Sequence, residues 1–119
     1  IALIRGLVKS IIENHPEEIN NDFITQQTQG FVDYRLMVIG TDWQEIVSQT
    51  GVDIDDIHKA ASIFAHSKSA ISTWAMGITQ HKHSVDTIRE LVNLHLMMGQ
   101  IGRKGAGLCP VRGHSNVQG

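Results

Sequence analysis

The sequence predicts an α/β fold carried mostly by helices, and three observations point to it. Amphipathic stripes with capping punctuation fill the first half of the chain. A β-branched and aromatic run, "SAISTWAM", then breaks the helical period. After it come a loop, "GITQHKH", and another amphipathic stretch, and strand–loop–helix is half of a βαβ unit. The expected division is a helical part over residues 1–68, then a strand–loop–helix with a glycine-rich segment over 69–119, together making one domain.

Composition narrows the class. A chain of 119 residues with 41% hydrophobic and 18% charged content is sized and balanced for one globular domain. A formal charge of -2 gives no basic field, so nucleic acid is not an expected partner. No apolar run reaches the ~18 residues of a membrane helix, so a membrane is not expected either. The opening "IALIRGLVKS" interrupts its apolar residues with Arg5 and Lys9, leaving no signal-peptide core, and the expected location is cytoplasmic. Cys109 is the one cysteine, too few for an internal disulfide or for ligating an iron–sulfur cluster. With no initial methionine and no polar tail after Gly119, the chain reads as a piece of something larger.

The elements follow in order. Leu3, Ile4, Leu7, Val8, Ile11 and Ile12 form a helical stripe over residues 2–13, which Asn14 and Pro16 should stop. Residues 17–40 are less patterned, with a short helix around Asp22–Gln27 and a turn at Gly30. Thr41 and Gln44 read as a capping box and Gly51 as a C-terminal cap. Asp53 caps the next helix, Val52 and Ile57 staple it, and Ile57, Ala60, Ala61 and Phe64 form its inner face. A buried strand should end at Met76–Gly77. Ser84 then caps a helix with Val85, Ile88, Leu91, Val92 and Met98 in its stripe; Leu94, Leu96 and Met97 widen the apolar surface at its end.

Three places suit chemistry. In open α/β sheets ligands sit beyond the carboxyl ends of strands, which singles out "GITQHKH" and the chain's last segment. In that loop His81 and His83 make a His-x-His pair, but two ligands do not close a metal site; Gln80 offers an amide donor and acceptor. Gly99, Gly102, Gly105 and Gly107 fall close together beside Arg103 and Lys104. That stretch is either an anion-binding backbone nest or a helix cap followed by a flexible cationic loop; its spacing is not that of a P-loop. In "CPVRGHSN", Cys109 reads as a small buried apolar residue rather than a nucleophile, while Arg112 beside Gly113 is a suitable fork for an oxyanion. Trp43 and Trp74 read as core or half-buried anchors, Met97 and Met98 as packing, and Asp53, Asp55 and Asp56 as a helix start favoured by its dipole.

The segment "WAMGITQHKHSVDTIRELVNLHLMMGQIGRKGAGLCPVRGHSNVQG" resembles the molybdopterin oxidoreductase family, specifically its formate-dehydrogenase-like alpha subunits. The resemblance is most specific from Trp74 to Gly119 and extends over essentially the whole chain. It implies an αβα molybdopterin-binding domain of a larger oxidoreductase, of which this chain would be a mostly helical fragment. It implies a bis(molybdopterin guanine dinucleotide) cofactor with molybdenum or tungsten, two-electron chemistry on a small anionic substrate, and an electron-transfer partner. A 4Fe-4S cluster would belong to the parent, with its ligands outside this segment; no residue here is expected to ligate a metal. Carried over by motif, Gly77, Gln80, Gly113, His114 and Asn116 would bind the cofactor, and Arg112 would be the catalytic, substrate-side cation. His114 stands where formate dehydrogenases have glutamine, replacing a neutral amide with a group that titrates near neutrality, so the substrate need not be formate.

A reading of another class stands beside this one: a helical binding or metal-binding module without catalysis, using His81 and His83. A fragment differs from such a module in exposing apolar faces, through which it can self-associate.

Overall fold

A computed structural model describes residues 1–113 of the chain. Helix α1 (Ala2–Asn14) is its pivot. The predicted stripe supplies the reason: Val8 and Ile11 are fully buried and Ile12 nearly so. Pro16, which has no amide hydrogen to continue the helix, opens a short 3-10 turn (Pro16–Glu18). Helices α2 (Asn21–Gln27), α3 (Phe31–Ile39), α4 (Trp43–Thr50) and α5 (Ile54–Ala65) follow. Then come strand β1 (Ile71–Trp74), the single turn α6 (Met76–Thr79), helix α7 (Ser84–Met97) and strand β2 (Gly107–Pro110). Helices α3, α4, α5 and α7 all pack against α1.

The polar residues of α1 tie it to its neighbours. Arg5 Nε donates to Glu90 Oε1 of α7 at 2.8 Å, a pair in which Glu90 is buried. That hydrogen bond, opposed by burial, holds the Arg5 guanidinium above its ordinary pKa. Lys9 Nζ donates to the Ile39 carbonyl at 2.6 Å and pairs with Glu13 at 2.9 Å. The cation thus sits at the C-terminus of α3, where the helix dipole favours it. Ser10 Oγ meets His58 Nδ1 of α5 at 2.7 Å.

Several expectations shift by a residue or an element. Residues 31–39 form a helix that no periodicity announced, because α3 is apolar on nearly every side; Val38 is buried while Val32 and Leu36 are 70% and 65% exposed. The cap of α4 is Asp42, whose Oδ1 accepts from Gln44 N at 2.9 Å; the Thr41 hydroxyl instead donates to the Met37 carbonyl. Asp53 caps α5 as predicted, and Gly51 closes α4 in the left-handed conformation. On α5 the inner face is Ile57, Ala61 and Ala65, with Ala60 exposed. Ser84 opens α7 without capping it, Val85 is exposed, and the core contact comes from the end of the helix, through Leu94, Met97 and Met98.

The strand is shorter than expected and is not buried, with Ile71 59% exposed. It is also not alone. β2 arises within the glycine-rich stretch and pairs parallel to β1 in the register Ile71↔Gly107, Ser72↔Leu108, Thr73↔Cys109 and Trp74↔Pro110. Glycine and proline are depleted in strands, which is why this segment reads as loop in sequence. β1–α6–α7–β2 is therefore a complete βαβ unit docked on a helical layer. Among the described residues no helix is long and apolar enough to cross a membrane.

Candidate functional site

Parallel pairing sends both strands out through the same edge of the sheet. Val111 N donates to the Trp74 carbonyl at 2.7 Å, extending the pairing just past Pro110. From this carboxyl edge β1 leads into α6, which carries Gly77, and on to Gln80, which caps it. β2 leads into Arg112 and Gly113. The fold thus brings together two predicted segments separated by more than thirty residues in sequence.

Gly77, Gln80, Arg112 and Gly113 are all exposed at that edge. The two glycines have no internal explanation. Neither has a positive φ, and a Cβ built on either meets no heavy atom within 4 Å. Among the described residues neither backbone strain nor packing requires glycine there. Glycine at such open positions leaves the backbone accessible from outside. His114 and Asn116 lie outside the described residues.

A cavity of about 620 Å³ opens beside the same edge, between the Gly77–His83 loop and the start of α1. It takes Gly77, His81, Lys82 and His83 in its wall, but neither Gln80 nor Arg112. Lys82, between the two histidines of a strand-end loop, adds a cation to that wall and is a residue whose setting is readable in the sequence. Among the described residues no three His, Cys, Asp or Glu side chains gather to hold a metal ion.

Two other expectations change. Cys109 is exposed rather than buried, since no described element covers that end of β2. Arg103 does not lend free charge to a nest. Its guanidinium donates to the carbonyls of Gly99 (3.0 Å) and Lys68 (2.6 Å) and to Gln100 Oε1 (2.7 Å). Met97 and Met98 are packing residues and Trp43 and Trp74 are half-buried, as read.

The molybdopterin oxidoreductase family matches residues 24–118. This chain belongs to that family. Among its curated relatives are Protein YdeP of Escherichia coli, 39% identical over 127 residues, and the oxidoreductase Rv2900c of Mycobacterium tuberculosis, 37% identical over 123. Formate dehydrogenase H of Escherichia coli is 39% identical over 119 residues. Each match covers 100% of this chain but only 16–17% of the relative, so this molybdopterin oxidoreductase chain spans about a sixth of their length. Membership implies a molybdopterin cofactor carrying molybdenum or tungsten.

Proposed function

We propose that this chain supplies part of the cofactor wall of a molybdopterin-dependent oxidoreductase with formate-dehydrogenase-like chemistry, within an αβα domain. The observation that supports the reading is the shared carboxyl edge, where Gly77 and Gly113 stand bare of neighbours among the described residues. A large pterin dinucleotide passing close to the backbone is a sufficient reason for both. Gln80 would hydrogen-bond it as donor and acceptor, and His114 and Asn116 complete the proposed binding set. The proposed group is bis(molybdopterin guanine dinucleotide), which when bound supplies the two-electron chemistry; the protein supplies orientation and electrostatics.

Arg112 is the proposed substrate-side residue. Its guanidinium holds a small anionic substrate by charge and by a planar fork. The parent would pass electrons through a 4Fe-4S cluster, ligated outside this segment, to an electron-transfer partner in the cytoplasm. The apolar side chains that α3 leaves exposed fit burial against the rest of such a parent, and self-association of the isolated chain is the expected result of leaving them open.

The test uses the full-length parent purified with its cofactor, as wild type and as Arg112→Ala. Metal is measured by elemental analysis and turnover by dye reduction with small anions, formate included. The expected wild type carries about one molybdenum or tungsten per chain. The expected variant keeps the metal and loses roughly 10²–10³ in turnover, the scale of removing one preorganised charge-stabilising donor. A wild type without metal or pterin overturns the cofactor reading; full turnover in the variant overturns the role of Arg112.

A further inference from the structure

We infer that Gln100 and Arg103 are positioning residues that set the cofactor edge from the opposite end of the sheet. The inference rests on the proposed function above. Neither residue lies at the carboxyl edge: both belong to the turn between α7 and β2.

Gln100 is 3% exposed, and every polar group of its side chain and backbone has a partner. Its backbone N–H donates to the His95 carbonyl at 2.8 Å, and its own carbonyl faces His95 Nδ1 at 2.8 Å. Its side-chain Oε1 accepts from Ala70 N at 3.0 Å and its Nε2 donates to the Ser67 carbonyl at 3.1 Å. Arg103 shares Oε1 and adds its bond to the Lys68 carbonyl. His95 is fully buried; because a carbonyl only accepts, Nδ1 carries the proton. In the neutral ring Nε2 therefore accepts from the Ser72 hydroxyl, 2.7 Å away.

Three side chains thus grip the lead-in to β1 at Ser67, Lys68 and Ala70, and β1 itself at Ser72. Ala70 in turn presents its carbonyl to Gly107 N at 3.0 Å, at the head of the β1–β2 pairing. The clasp ties the start of β1 to the turn that launches β2, and so fixes the register between these two strands. A slip of one residue would move Arg112 by about 3.3 Å relative to the Gly77 loop, and even a ~1 Å misplacement at a reacting centre can cost about 10²-fold in rate.

This separates positioning from bulk stability. An interaction that acts through Arg112 should lose its effect once Arg112 is gone, whereas general destabilisation should multiply with that loss. Arg103 is the residue to vary, since it is more exposed than Gln100 and its removal empties no core; Arg103→Lys serves as a milder second variant that keeps one cationic donor.

The experiment uses the cofactor-loaded full-length parent. Hydrogen exchange at residues 107–113 and metal content are read in wild type, Arg103→Ala and Arg103→Lys. Turnover is read with Arg103→Ala in both the Arg112 and Arg112→Ala backgrounds. Expected for Arg103→Ala are roughly tenfold faster exchange at 107–113, retained metal, and a fall of about 10–100-fold in kcat/KM that shrinks below about twofold in the Arg112→Ala background. Arg103→Lys should fall between wild type and Arg103→Ala. Unchanged exchange at 107–113, or turnover losses that multiply across the two sites, overturns the inference. Absence of metal and pterin from the wild type instead removes the reading beneath it, and is recognised before any substitution at Arg103 is compared.

Discussion

Gly99→Ala tests the junction where α7 meets the start of α2. Gly99 follows the helix with φ +59 and completes a Schellman closure: its N–H donates to the Leu96 carbonyl at 3.2 Å, and Gln100 N reaches the His95 carbonyl. A Cβ at Gly99 would lie 2.5 Å from Asn20 Nδ2, 3.0 Å from its Cγ and 3.2 Å from its Cβ. Rotating the amide tip cannot relieve all three contacts. Asn20 would have to turn away, and its Oδ1 is the cap that accepts from Phe23 N at 2.9 Å. The left-handed backbone costs an alanine about 1 kcal/mol or somewhat more, and loss of the cap costs about 1 kcal/mol. The sum is ~2–3 kcal/mol. Urea unfolding of the chain followed by far-UV circular dichroism should show it as a lower midpoint at unchanged slope. In an Asn20→Ala background the cap and the two closest contacts are already gone and only the 3.2 Å contact with Cβ is left, so the same substitution should cost little beyond its backbone part. A cost under about 0.5 kcal/mol, or equal costs in the two backgrounds, would refute the argument.

Two further expectations concern α1. A Cβ at Gly6 would lie 3.0 Å from Ile46 Cγ2 and 3.2 Å from Ile57 Cγ2. Gly6→Ala should therefore lose about 1–3 kcal/mol to overpacking, offset by ~1 kcal/mol of helix propensity, and a raised unfolding midpoint would contradict such close packing. For Glu13, burial pushes the carboxyl up, but hydrogen bonds from Lys9 and Trp43 and the nearby charges of Lys9 and His58 overcome it and hold it below the ordinary 4.5. A folded pKa below the unfolded one contributes stability that is present above about pH 4.5 and lost as pH falls through the depressed value. The carboxylate is partly solvated, so screening limits the effect to no more than about 1 kcal/mol. Denaturant midpoints of wild type and Glu13→Gln should converge as pH drops below that window, and a constant gap down to pH 2 would contradict the assignment.

What could be read in advance divides along physical lines. α1 and α5 were legible because a stripe and a punctuating residue agree in each, as with Ile57 behind Asp53; α7 was legible as a helix from its stripe alone, since Ser84 does not cap it. α3 was not, because a helix apolar on most sides has no period to detect. β2 was hidden because pairing with β1 overrides the poor strand propensity of Gly107 and Pro110, a tertiary effect no local window contains. At the site, Gly77, Gln80, Arg112 and Gly113 could be picked out residue by residue, but only the register shows that they share an edge. The clasp was least legible. The β1-side partners of Gln100, Arg103 and His95 lie 23 to 35 residues earlier, beyond any local window.

The parallel register has a consequence in time as well as in space. Ile71 pairs with Gly107 across the whole of α6 and α7, so no local hairpin can start the sheet. The entropy of closing that loop must be met before any ladder bond forms, and non-local parallel pairings are slow for this reason. The helices around α1 can begin to pack without it. The strand pair, and with it the edge proposed to face the cofactor, is therefore the last of the described elements expected to take shape, after α7 has docked and its C-terminal turn has closed over Gln100. A nascent chain has no wall to offer a cofactor until folding is nearly finished.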